Sequence, residues 1–116
     1  MAIEVRDLDK VVVVIVKNDL GNEQTAEFRS IMREVTDRPL SPHVILDLGL
    51  VHTICSSALA VVGVVYKLTK QKGGSVRVVN LQDRVRRLFH TTQILTLLPE
   101  YETVDEAIKA ATKPAG

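Results

Sequence analysis

Two adjacent serines, Ser56 and Ser57, stand where a short apolar run gives way to a long one. The run Val44-Ile45-Leu46 ends at Asp47, a loop follows, and Cys55-Ser56-Ser57-Ala58-Leu59 opens a segment that stays apolar to Tyr66. A strand, loop and helix in that order place both hydroxyls among unpaired backbone N–H groups, at the positive end of a helix dipole. Two chemistries are open to such a serine: it caps the helix, or it is a site where phosphate is added and read. Cys55 offers a third. It lies three residues after His52, and a thiol at a helix start can have a lowered pKa and act as a nucleophile or redox sensor. No third group completes such a site, and small free cysteines are usually packed residues. No catalytic residue is therefore assigned, and the chain is expected not to be an enzyme.

Other candidate sites fall away on spacing. His43, His52 and His90 show no metal-ligand pattern and one cysteine is too few for structural zinc, so surface or capping roles are expected for the histidines, with no metal and no cofactor. Gly73-Gly74 lacks the G-K-S/T context of a phosphate loop and reads as a helix stop. Arg84, Arg86 and Arg87 cluster on a short predicted helix with no recognition-helix partner, so a solvated face is preferred to DNA binding.

The bulk numbers bound the class of protein. A chain of 116 residues, 46% hydrophobic and 25% charged, fits one domain with a real core. A net charge of +1 gives no general attraction to nucleic acid, and 3% aromatic content offers few stacking platforms. Cys55, the single cysteine, cannot form an intrachain disulfide, which fits a reducing compartment. Glu4 and Asp7 precede any apolar stretch, and the run Ala58 to Tyr66 is far shorter than the ~20 residues a membrane span needs. A cytoplasmic protein without membrane insertion is expected. Charge is uneven: residues 1–50 carry six Lys/Arg and nine Asp/Glu, whereas residues 51–90 carry seven Lys/Arg and one acid, Asp83. That basic stretch is either a solvated face or a docking face for an acidic partner.

The elements that would position the serines follow from periodicity. Ile3 to Arg6 alternates, as an edge or half-buried strand does. Val11 to Val16 is a β-branched run suited to a strand buried on both faces. Asn18 to Asn22 is turn chemistry, and a helix is expected from Glu23 with Ala26, Phe28, Ile31, Met32 and Val35 inward. Pro39 and Pro42 end it. Val44 to Leu48 is a second buried strand. Ser56 to Gln71 has strand-like valines, but its length, its terminal lysines and Gly73-Gly74 favour a helix. Ser75 to Val79 is a strand, Leu81 to Phe89 a short amphipathic helix, Ile94 to Leu98 a last strand, and Thr103-Val104-Asp105-Glu106 a capping box opening a helix through Ala111. Residues 113–116 are a frayed tail. Alternation of this kind predicts a mostly parallel α/β sheet.

Taken in order, these pieces resemble the STAS domain family, the fold of bacterial anti-sigma factor antagonists. The resemblance runs from Val11 to Ala110. Val44-Ile45-Leu46-Asp47-Leu48-Gly49 and Ile54-Cys55-Ser56-Ser57-Ala58-Leu59 stand where the family has its strand, turn and serine-bearing helix start. Lys72-Gly73-Gly74, Val85-Arg86-Arg87-Leu88-Phe89 and Pro99 to Ala107 match the later elements. The resemblance implies a single domain over residues 1–112, with a four- to five-stranded mixed sheet and about four helices packed mainly on one side. It also implies a job: the unphosphorylated antagonist binds an anti-sigma factor, a serine kinase of histidine-kinase-like ATPase fold, and frees a sigma factor. Phosphorylation of the first serine, by position Ser56, ends binding. Asp19, Gly21, Cys55, Ser56, Ser57 and Leu59 are the partner-binding residues so implied.

The chain departs from the family at two acids. The aspartate before the serine is Cys55, and the last aspartate of the family's G-E-L-D loop is Gly21; the glycine after the serines is Ala58. Two readings follow. In one, Ser56 is a phosphoacceptor serving a diverged partner. In the other, the domain is a non-phosphorylated STAS regulatory or scaffold subunit that holds its partner constitutively. In addition, Val61, Val62, Val64, Val65 and Tyr66 encircle too much of their helix for one sheet to cover, which predicts a protein-binding or homodimer surface including that helix.

Overall fold

The computed structural model describes residues 3–8, 10–38, 43–94 and 97–112. The run Val11-Val12-Val13-Val14-Ile15-Val16 forms β2 (Val11–Val16), and it is a central strand because both of its faces are apolar. β1 (Ile3–Leu8) lies antiparallel to it at the sheet edge, and β3 (His43–Asp47), β4 (Ser75–Val79) and β5 (Glu100–Tyr101) continue in parallel, giving the order β1-β2-β3-β4-β5. The edge strand carries Glu4, Arg6 and Asp7, charges that discourage pairing with another chain.

Each parallel step needs a crossover, and α1 (Asn22–Thr36), α2 (Ser56–Gln71) and α3 (Asp83–Thr91) supply them. All three cover one face, packing Phe28, Met32, Val62, Val65, Val85 and Phe89 onto Val12, Val14, Val44, Leu46, Val76 and Val78. The other face holds Val11, Val13, Ile45 and Val79 under Ala107 and Ala111 of α4 (Val104–Thr112), whose small side chains let the helix lie close. Three helices therefore share one side of a mixed five-stranded sheet, and the fourth lies opposite.

α2 is a helix throughout, despite four valines with strand propensity. It stops as its glycines predict. Gly73 takes φ +79°, its N–H bonds to Lys70 O at 3.1 Å, and Gly74 N bonds to Thr69 O at 2.7 Å, the pairing of a Schellman motif. Val61, Val62 and Val65 are buried and Tyr66 is half-buried, so sheet and α1 absorb most of the apolar girdle; Val64 alone of the five stays exposed, at 56%. At the start of α4, Thr103 Oγ1 accepts from Glu106 N at 3.1 Å, half of the expected capping box.

Two expectations need correction. Ala26 faces solvent, and Thr25 takes the inward position beside Phe28. Of the expected strand Ile94 to Leu98, Ile94 sits in a short 3₁₀ segment, Leu97 and Leu98 lie in a turn, residues 95 and 96 lie outside the described residues, and the strand that pairs with β4 is Glu100–Tyr101. Leu98 is buried as a plug rather than as a strand residue. Residues 113–116 lie outside the described residues. Among the described residues, no helix is long and apolar enough to cross a membrane.

Candidate functional site

The carboxyl ends of the parallel strands carry the serines. Between β3 and α2 the chain makes a loop, residues 48–55, pinned from below by Leu48, Val51 and Ile54, which are buried. It is tied sideways to the β2–α1 loop: Leu20 N donates to Thr53 O at 3.0 Å, and Cys55 N donates to Leu20 O at 2.8 Å. Asp19 fastens the same seam, because its Oδ1 accepts from His52 N at 2.7 Å and Thr53 N at 3.3 Å, with His52 Nδ1 at 3.6 Å. Those bonds, the His52 N–H first, hold the Asp19 carboxyl below the usual aspartate range. On the other flank, Asp47 Oδ1 accepts from Gly49 N at 3.0 Å and Asn80 Nδ2 at 3.2 Å, and Gln82 Nε2 donates to Gly49 O at 2.8 Å. Asn80 reaches Asp47 from a left-handed backbone, φ 61°, which asparagine tolerates better than most residues.

This seam holds the start of α2 in place without filling it. Cys55 is the N-cap residue by backbone geometry, φ −81° and ψ 164°, yet no side chain makes a cap hydrogen bond, and the first turn contains no acid. The first intrahelical bond is Leu59 N to Cys55 O at 3.0 Å. Ser56 and Ser57 are both exposed on this first turn, on the side where backbone N–H groups concentrate positive charge. The site can therefore accept an anion on Ser56 without strain in its own fold.

Cys55 is half-buried and its Sγ lies 3.2 Å from Thr25 Oγ1, whose hydroxyl donates to Gly21 O at 2.9 Å. The thiol pKa is lowered, first by Thr25; burial opposes that next, and the N–H groups of Ala58 and Ser57 add smaller lowering effects. His52 is not part of that environment, since its ring is turned to Asp19. Gly21 caps α1 from an extended backbone, and its N–H donates to Gln24 Oε1 at 3.1 Å. A side chain at position 21 would meet only that flexible amide end, at 3.1 Å.

The sequence-derived residues thus divide. Asp19, Gly21, Cys55, Ser56 and Ser57 converge on one surface. Leu59 does not: it is buried with the core residues of α2 and shapes the helix from beneath. Sequence reasoning missed Leu50, a large apolar residue 56% exposed on the same loop, and Thr25, the neighbour of Cys55. Leu50 could have been suspected from its place in a turn directly after Gly49; Thr25 could not, because its contact spans thirty positions. Of the histidines, His52 and His90 are exposed as expected, while His43 is half-buried against Ser75 Oγ at 2.7 Å. Among the described residues, no three His, Cys, Asp or Glu side chains gather as metal ligands.

Comparison with known proteins converges on this architecture. An anti-sigma F factor antagonist of Paenibacillus polymyxa is 28% identical over 108 residues, covering 93% of this chain and 92% of that one. The structure of an anti-sigma factor antagonist from Mycobacterium paratuberculosis superimposes with TM-score 0.82 at 26% identity, over 94% of this chain and 92% of that one. The antagonist SpoIIAA in its unphosphorylated form shares the fold at TM-score 0.83 and 16% identity, over 99% of this chain and all of that one. SpoIIAA in its phosphorylated form, the Bacillus cell fate determinant, gives 0.75 at 15%, over 94% and 98% of the two chains. With residues 2–107 matching the family's sequence pattern, the chain belongs to the STAS domain family.

Proposed function

We propose that this protein is an anti-sigma factor antagonist that releases a sigma factor by binding an anti-sigma factor of kinase fold, and that phosphorylation of Ser56 switches it off. The observation that carries the proposal is the exposure of Ser56 on the first turn of α2, where the backbone is pinned by Asp19 and the helix start is otherwise uncapped. Support comes from relatives that are themselves named anti-sigma factor antagonists, one of them solved in a phosphorylated form.

The physics of the switch is local. A phosphate brings about −1.5 to −2 charges at neutral pH. The N–H groups of α2 stabilise it inside this protein, so the fold need not move. A partner pressed over Ser56 would have to desolvate that charge against its own surface, which costs several kcal/mol, on the order of 10²-fold or more in affinity. Asp19, Gly21, Cys55 and Ser57 form the surrounding contact surface in this reading.

A second reading rests on Cys55 and Gly21, which leave no acid in the first turn of α2 and none at the start loop of α1 beyond the engaged Asp19. In that reading the domain is a constitutive regulatory or scaffold subunit. The experiment pairs purified protein with the kinase-fold anti-sigma factors of its own organism, with ATP and Mg²⁺, and follows intact mass and complex formation. Gain of one phosphate, abolished in Ser56→Ala and retained in Ser57→Ala, with loss of the complex, is the expected result. Binding that is equal in wild type and Ser56→Asp, with no phosphate gained, establishes the constitutive reading instead.

A further inference from the structure

The face of α2 that leads away from Ser57 borders an open groove against α1. Its volume is about 310 Å³, with Met32, Val61, Val65 and Leu68 as floor and Arg29 and Arg33 along one lip. Val64, 56% exposed, forms the opposite shoulder. Among the described residues no carboxylate lines the groove, and α2 contains no acid in its whole length. Arg29 and Arg33, one turn apart on α1, make no ion pair among the described residues. The groove is therefore an apolar channel with two arginines on one edge, and although Glu34 and Asp37 lie near Arg33 they do not line the channel, a combination that charge complementarity matches to an apolar ligand with acidic flanks.

Its length selects the ligand further. Ser57 to Leu68 is twelve residues, about 16 Å of helix axis, or three turns of a helix laid alongside. Ser57 lines one end of the groove, which makes it continuous with the serine-bearing surface.

We infer that the groove between α1 and α2 seats an amphipathic helix of the protein partner, with its apolar stripe on Val61, Val64 and Val65 and its acidic flank on Arg29 and Arg33. This deepens the partner-binding reading above and rests on it. It also gives the phosphoserine a second effect: negative charge at the groove's end repels the acidic flank of the docked helix.

The test uses ¹⁵N-labelled protein and two 18-residue helical peptides, each with leucines at i, i+4, i+7 and i+11. One carries glutamate on the flanks and the other carries lysine. The expected result is chemical-shift change confined to residues 29–36 and 57–68, with the acidic peptide bound at least tenfold more tightly. Arg29→Glu/Arg33→Glu should reverse that preference, and Val64→Asp should weaken binding at least tenfold. Both variants alter exposed side chains, and unchanged thermal unfolding verifies their fold. Equal binding of the two peptides, or shifts elsewhere, overturns the inference. The same variants are then tested on the anti-sigma factor. If Ser56→Asp abolishes that complex and Arg29→Glu/Arg33→Glu leaves it intact, the groove is excluded while the antagonist role stands. If no anti-sigma factor binds but the acidic peptide seats as described, the antagonist role falls and the groove remains a site for another acidic helix.

Discussion

Replacing Cys55 with aspartate tests the central claim about the site, that α2 begins on an unfilled cap. The backbone at Cys55 already has N-cap geometry, φ −81° and ψ 164°, and no side chain makes a cap hydrogen bond, the N–H groups of Ala58 and Ser57 facing only a weakly accepting thiol. An aspartate there would accept from Ser57 or Ala58 N–H and place a charge at the positive end of the dipole. Such caps contribute about 0.5–2 kcal/mol. The top of that range is out of reach, because Cys55 Sγ lies 3.2 Å from Thr25 Oγ1, whose proton is committed to Gly21 O; the hydroxyl must turn or the carboxylate faces a lone pair. A gain of about 1 kcal/mol is expected. With an unfolding entropy of about 2.1 cal/mol/K per residue over 116 residues, that raises Tm by about 4 °C. The assay is thermal unfolding by circular dichroism from pH 7 to pH 2.5. The new carboxyl has a folded pKa below its unfolded value, so its contribution is present above the unfolded pKa, about 3.9, and lost as pH falls through the folded one. Cys55→Asn caps without titrating, and its gain should persist in acid. No rise in Tm at pH 7, or a Cys55→Asp gain unchanged at pH 2.5, would refute the reasoning. In the phosphorylation assay the same variant restores an acid beside Ser56.

Four further outcomes are expected. Gly63→Ala should stabilise the protein by about 1 kcal/mol, since the position is mid-helix and open space surrounds the added methyl; a loss of stability in urea titration would contradict that geometry. Asp19→Ala should cost up to about 1 kcal/mol, the value of bonds made by a half-exposed carboxylate. In the wild type, the Asp19 carboxyl should titrate below the usual aspartate range by NMR. Its stabilisation is thus full above the unfolded pKa and disappears as pH falls through the lower folded value, and a normal midpoint would mean the clamp to His52 and Thr53 is absent in solution. Leu50→Ser should leave Tm within about 2 °C, because the side chain is mostly in water, while weakening the partner complex severalfold; unchanged affinity would remove Leu50 from the contact surface.

What could be read from the sequence was decided locally. Val11 to Val16 has no polar side to offer water, so it had to be a central strand. Gly73-Gly74 after three lysines had to stop a helix, and it does so with a left-handed glycine. Ser56 and Ser57 had to lie at a helix start, because strand, loop and helix follow one another at fixed spacing. Where several residues could meet one local demand, tertiary packing made the choice. Thr25 rather than Ala26 turned inward because α1 is rotated to bring its hydroxyl to Cys55 thirty positions away. Among the described residues, Glu100–Tyr101 rather than Leu97 and Leu98 took the strand, since it is the pair that meets the register of Val78 and Val79. The valines of α2 divided between core and surface according to where sheet and α1 happened to cover them, leaving Val64 in water. Asp19 and His52 carried no sign of each other in the sequence. Their seam exists because the loops after two neighbouring parallel strands end side by side, and hydrogen bonds between such loops depend on that adjacency alone.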